Sequence, residues 1–129
     1  NSTIPTTGSD GAAGYDLYAA EELSIPSGIR MLVDVGVTLE MPPGVVGLIW
    51  PRSGLACSGI DVGAGVIDSD YRGDVKALLI NSSGQEKKIL IGDRIAQIIF
   101  QPCLNCAAEA TTRLSETDRG NDGFGSTGK

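Results

Sequence analysis

Histidine is absent from the 129 residues, and its absence removes a large block of chemistry. There is no Ser-His-Asp triad, no His-ligated zinc and no imidazole base. Acid–base work near neutral pH falls to carboxylates, tyrosine, lysine or cysteine. A metal, if used, is a hard cation on oxygen ligands, for which Mg²⁺ is the candidate. Long apolar runs are missing too. Nothing approaches the ~18 residues of a membrane helix, and the opening NSTIPTTGSDG has no apolar segment of the signal-peptide kind, so no membrane partner is expected. Cysteine is scarce and odd in number, with three residues, which does not suggest a disulfide framework. Cys103 and Cys106 have CxxC spacing, yet a structural zinc takes four Cys or His ligands and the redox motif expects a βαβ setting. The three thiols, Cys57 included, are expected to be small and partly buried in a reducing compartment. Positive charge is in deficit, 10 Lys and Arg against 16 Asp and Glu. That argues against direct binding to a nucleic-acid backbone but leaves room for a small phosphate ligand held by a few placed cations.

What the chain does have is glycine, 18 residues, roughly twice ordinary usage, and many short apolar runs. The length fits one domain. Ile29–Asp34, Val35–Leu39, Val45–Trp50, Val75–Asn81, Ile89–Ile91 and Ile95–Phe100 read as strands, with Ala107–Thr112 as a last short one. Helix signals are weak. Ala12–Ala20 holds helix formers interrupted by Gly14 and Tyr15, and Ser53–Cys57 makes a single turn too short to stand alone. The pattern predicts an all-β barrel or sandwich. Residues 119–129, with four glycines and no strand pattern, read as a mobile C-terminal arm after a β-domain over 1–118.

Four segments carry candidate chemistry. Pro51-Arg52-Ser53-Gly54 puts a cation, a hydroxyl and a glycine at the start of a helical turn, which suits an anion; it is equally a proline-led turn capped by Ser53. Gly63 to Gly73 reads as a hairpin in which glycines allow close approach of a ligand. In a regular strand Asp68 and Asp70 would share a face, with Tyr71 as an aromatic plate; the plainer reading makes them turn and packing residues. In Gly92 to Gln97, Asp93 and Arg94 can pair at a turn, and Gln97 can donate to a phosphate or face solvent. Gly123 to Lys129 has the spacing of GxxxxGK, but no strand precedes it and no Ser, Thr or helix follows, so it is not a P-loop. Its backbone amides, Ser126, Thr127 and Arg119 can still donate to phosphate oxygens, and Phe124 can stack on a base. All four segments fit one ligand, a nucleoside triphosphate.

Those segments carry a family resemblance. AAGYDLYAAEE from Ala12, PRSGLA from Pro51, GVIDSDYRG from Gly65, GDRIAQ from Gly92 and RGNDGFGSTG from Arg119 stand in the order and spacing of the five motifs of the trimeric all-β dUTPases (deoxyuridine triphosphate nucleotidohydrolases). The resemblance covers nearly the whole chain; PRSG alone is weak, whereas GVIDSDYRG with GFGSTG is specific. It implies a distorted, jelly-roll-like β-barrel with one very short helix, and a homotrimer whose shared active sites are each closed by a neighbour's arm. It implies hydrolysis of dUTP to dUMP and pyrophosphate, with Asp68 as general base for water attack on the α-phosphorus. Tyr71 would pack under the sugar and exclude a 2′-OH. Main chain from Gly65 through Val66 to Lys76 would read uracil, where some relatives have Gly in place of Lys76. Arg52, Ser53, Gly54, Gln97, Arg119, Gly125, Ser126 and Thr127 would meet the phosphates, and Phe124 would cover the base. Mg²⁺ would sit on the phosphates, with Asp16 reaching it through water. Trp50 stands where many relatives have a small residue, and Cys57-Ser58 where many carry a lysine. Two alternatives stay open: the related dCTP deaminases, which would need a catalytic glutamate at the base, and a non-enzymatic nucleotide-binding module.

Overall fold

Short apolar runs become strands wherever one side can be buried. The computed structural model describes residues 1–128, so Lys129 at the end of the arm lies outside the described residues. In chain order the elements are β1 (Tyr15–Tyr18), β2 (Leu23–Ile25), β3 (Arg30–Asp34), β4 (Val45–Trp50), α1 (Ser53–Cys57), β5 (Ile60–Gly63), β6 (Val66–Ile67), β7 (Lys76–Asn81), β8 (Lys87–Ile89) and β9 (Arg94–Pro102). They form three antiparallel sheets, ordered β1-β9-β4-β6, β2-β8 and β3-β7-β5. The all-β expectation with one helical turn is met, although among the described residues the ladders do not close into one continuous barrel.

One core joins the sheets. Leu17, Ile49, Ile95, Ala96 and Ile98 come from the first sheet, Ile25 and Ile89 from the second, and Val33, Ile60, Ala77 and Leu79 from the third. In β7 every second residue, Ala77, Leu79 and Asn81, points inward, the period of two that a half-buried strand requires. Asn81 is a buried polar exception and is fully satisfied. Its amide donates to the carbonyls of Ile25 and Gln85, each at 2.8 Å, and its oxygen accepts from the N–H and hydroxyl of Ser83 at 3.0 and 2.6 Å. It thereby ties the β7–β8 turn to the end of β2.

Several expectations are corrected. Val35–Leu39 is not a strand: Gly36 has φ 67° and its N–H bonds to Asp34 Oδ1 at 2.7 Å, a local turn that ends β3. Val35 and Val75 still bury fully, with the Val35 N–H donating to the Val75 carbonyl at 3.4 Å and the Val75 N–H to the Val37 carbonyl at 2.9 Å. Ala107–Thr112 is exposed and unpaired, because its small and polar residues offer no apolar face. Ala12–Ala20 contains β1 where helix formers stand. The three thiols are free and exposed rather than partly buried. Cys57 ends α1, which buries none of its residues, and Cys103 and Cys106 follow β9 beyond the core. Among the described residues no helix is long and apolar enough to cross a membrane.

Candidate active site

The β5–β7 hairpin builds the first part of the site. β5 and β7 pair from Ile60↔Asn81 to Gly63↔Leu78, and the connection between them detours to place β6 beside β4. Two left-handed residues make that detour, Ala64 at φ 56° and Gly65 at φ 106°. Gly65 has a second constraint: a Cβ there would lie 2.7 Å from the carbonyl oxygen of Ile49, closer than non-bonded atoms allow. Its own carbonyl accepts the Ile49 N–H at 2.8 Å, locking the detour to β4.

A cavity of about 470 Å³ opens on this hairpin. Gly63, Ala64 and Gly65 form one wall that is largely main chain, and Asp68, Tyr71 and Lys76 lie around it. Asp68 and Asp70 do not share a strand face. They sit in a turn after β6, closed by the Tyr71 N–H to the Asp68 carbonyl at 3.1 Å. The Tyr71 hydroxyl donates to the Asp74 carbonyl at 3.0 Å, which pins the ring across the hairpin. Gly65, Val66, Asp68, Tyr71 and Lys76 are therefore brought together.

Arg52 and Gly54 lie elsewhere, in a second depression of about 410 Å³ shared with Lys88 and Arg94. α1 begins with Arg52 in the cap position, in extended conformation; Ser53 is the first helical residue and not the cap. Arg52 is held from two directions. Its Nε donates to Asp16 Oδ1 at 2.9 Å, and its Nη1 donates to the Arg94 carbonyl at 3.2 Å. Arg94 completes the arrangement with its own side chain, 3.3 Å from Asp16 Oδ2. The expected Asp93–Arg94 pair is not formed, because Asp93 Oδ2 accepts the Leu90 N–H at 2.9 Å. Lys88, salt-bridged to Glu22 at 2.7 Å, is held above the ordinary lysine pKa by its hydrogen bond and charge contact with that carboxylate, which also offsets its charge.

A bulge explains why Arg94 reaches Asp16. The β1–β9 register runs Asp16↔Gln97 and Leu17↔Ala96, then shifts to Tyr18↔Arg94. Ile95 and Ala96 are consequently both buried in succession, and Arg94 is re-aimed onto the face of Asp16 and Gln97. Gln97 donates through Nε2 to the Pro51 carbonyl at 3.0 Å, so it supports the turn that carries Arg52 and Ser53. Gly14 makes room for it, since a Cβ there would meet Gln97 Oε1 at 2.7 Å. The pattern of residue types pairs Arg94 with Asp93 rather than Asp16 and does not give Gly14 a role, since a register shift is invisible to periodicity.

The arm lies apart from both depressions. Arg119 Nε donates to the Asp122 carbonyl at 2.9 Å, and the Ser126 and Gly128 amides close turns onto Gly123 and Gly125. Phe124, Gly125, Ser126 and Thr127 are exposed.

A hairpin cavity with a largely main-chain wall that can match hydrogen-bonding edges, and a separate depression whose guanidinium groups can meet a polyanion, fit the class of small all-β nucleotide-binding proteins. Within that class the chain belongs to the dUTPase family, whose sequence profile matches residues 1–128. It is 50% identical to the deoxyuridine 5′-triphosphate nucleotidohydrolase of Yarrowia lipolytica, over 99% of this chain and 83% of that protein. The Monkeypox virus protein of the same name is 49% identical, over 96% of this chain and 82% of the other. The fold matches the dUTPase of Staphylococcus bacteriophage 80alpha, solved with dUpNHpp, at a TM-score of 0.93 and 24% identity, covering 99% and 93% of the two chains.

Proposed function

We propose that the hairpin cavity is where this dUTPase-family chain hydrolyses dUTP to dUMP, with Asp68 as the general base. Family membership gives the reaction. The observation that supports this placement is the convergence of Asp68, Tyr71, Lys76 and the Gly63–Gly65 main chain on one cavity, whose volume is in the range of small-molecule sites.

In this reading the main chain from Gly65 through Val66 to Lys76 pairs with uracil O2, N3–H and O4. Cytosine, with an amino group and a bare N3, leaves those groups unmatched, a mismatch worth roughly 10⁴-fold in selectivity. Tyr71 lies under the deoxyribose and leaves no space for a 2′-OH. Asp68 accepts a proton from a water as its oxygen bonds to the α-phosphorus; the bond from that phosphorus to the bridging oxygen breaks, and pyrophosphate leaves. A carboxylate suits the base role once it is held against the water. Arg52, Ser53 and Gly54 meet the phosphates, with Gln97 alongside. Arg119, Gly125, Ser126 and Thr127 add donors from the arm, and Phe124 covers the base.

dUTPases generally use Mg²⁺. The donor chemistry here fits it: Asp16 presents two oxygens, each taking one guanidinium bond, and a carboxylate oxygen can accept more than one, so a metal-bound water has a place to donate. Bound there, the ion would offset phosphate charge. The separation of hairpin cavity, arginine pair and arm within one chain supports a homotrimer whose sites draw on neighbouring chains.

The test is a nucleotide panel with Mg²⁺: dUTP, UTP, dCTP and dTTP, with products identified. dUMP and pyrophosphate from dUTP alone are expected. Ammonia from dCTP would move the chemistry to deamination, and equal turnover of UTP would overturn the sugar reading.

A further inference from the structure

We propose that Gly73 is a positioning residue for Tyr71, and through it a determinant of sugar fit. Gly73 follows the Asp68–Asp70 turn by three residues and lies before β7. Its φ is not among the left-handed values of this chain, so backbone conformation does not call for glycine there. Space does. A Cβ on Gly73 would lie 2.4 Å from the Tyr71 hydroxyl oxygen, 2.5 Å from Cζ and 2.9 Å from Cε2. Ordinary contact begins at 3.4 Å, so the ring tip would have to retreat by about 1.0 Å (3.4 − 2.4).

That retreat is constrained. The clash spans three atoms of one rigid ring, so no single-bond rotation at the tip relieves it. The ring is also tethered at its far end, where the hydroxyl donates to the Asp74 carbonyl at 3.0 Å. Tyr71 and Asp74 both line the hairpin cavity, whereas Gly73 does not. Gly73 therefore supports the ring without touching the ligand space. Any side chain there re-aims the Tyr71 plate relative to the bound sugar, and a misplacement of about 1 Å in a positioning group can cost up to roughly 100-fold.

The inference rests on the reading of Tyr71 as the sugar plate, and a double-mutant cycle separates the two. In the full-length protein, Gly73→Ala should lower kcat/KM for dUTP by roughly 10- to 100-fold, mainly through KM because Asp68 is untouched, and should reduce the dUTP/UTP ratio. In the Tyr71→Ala background the clashing ring is gone, and the same Gly73→Ala change should alter kcat/KM by less than about twofold. Equal losses in both backgrounds, or no loss in the parent, would overturn the role of Gly73. A Tyr71→Ala variant that keeps the parental dUTP/UTP ratio would instead overturn the sugar plate, while the coupling still reports whether Gly73 acts on the ring. Should Gly73→Ala fail to fold alone but fold with Tyr71→Ala, the rescue itself confirms that the ring is what glycine accommodates.

Discussion

Asp16 and Asp68 are the same residue type in different company. Asp16 is mostly buried and bonded to two guanidinium groups, so its oxygens are directed before any ligand arrives. Asp68 stands in an exposed turn and lines a cavity, with no arginine salt bridge among the described residues. The first suits a positioning role and the second proton transfer. Asp68→Asn keeps the shape and removes the base, so it should retain binding of a non-hydrolysable dUTP analogue within a few-fold and lose about 10²–10⁴ in kcat. Calorimetric titration and pyrophosphate release measure the two halves. Near-parental turnover would remove Asp68 from the base role. At this scale the sequence was informative about Asp68, Tyr71 and Arg52 because carboxylate, aromatic and cation sit in short motifs. It offered Arg94 only as a turn partner of Asp93, because the contact with Asp16 depends on a bulge, and it gave no hint of the Tyr71–Gly73 contact, which exists only once the ring has a rotamer.

Element by element, the strands that periodicity located are those with a run of aliphatic residues: β3, β4, β7 and β9. β1, β2 and β5 escaped because each is four residues or fewer, too short for alternation to stand out, and because partners distant in sequence create them. Thus Tyr15–Tyr18 becomes extended by pairing with β9, overriding the helix formers around it. Val35–Leu39 failed in the opposite sense, being apolar enough for a strand but broken by a left-handed Gly36. Asn81 shows how such small sheets are fixed to one another. Replacing it with Ala takes one donor each from the carbonyls of Ile25 and Gln85, the latter keeping the Ser83 hydroxyl, and removes both acceptor bonds to Ser83. Asn81→Ala should cost about 2–4 kcal/mol, seen as a fall in Tm on the order of 10 °C, with kcat of the folded protein unchanged. A variant that loses kcat at parental Tm would mean that Asn81 serves the site rather than the fold.

For the whole molecule the decisive property is that the parts of the proposed site lie apart within one chain. The hairpin cavity and the Arg52–Arg94 depression have separate linings, and the arm's hydrogen bonds run within the arm or back to Thr117 just before it. Two inactive chains should then repair each other. A chain ending before Arg119 but keeping Asp68, mixed and reassembled with full-length Asp68→Asn, should regain activity that neither shows alone. No recovery in verified mixed assemblies would mean that base and arm act within one chain. The wall formed by Gly63, Ala64 and Gly65 has a consequence for pharmacology. In the proposed site its recognition groups are amides and carbonyls, which side-chain changes do not remove, and at Gly65 a side chain would meet the Ile49 carbonyl oxygen. An inhibitor that hydrogen-bonds to that wall presents selection with few escape routes. Resistance would have to arise where side chains matter, at Tyr71 or in the arm, and those are positions on which the proposed reaction also depends.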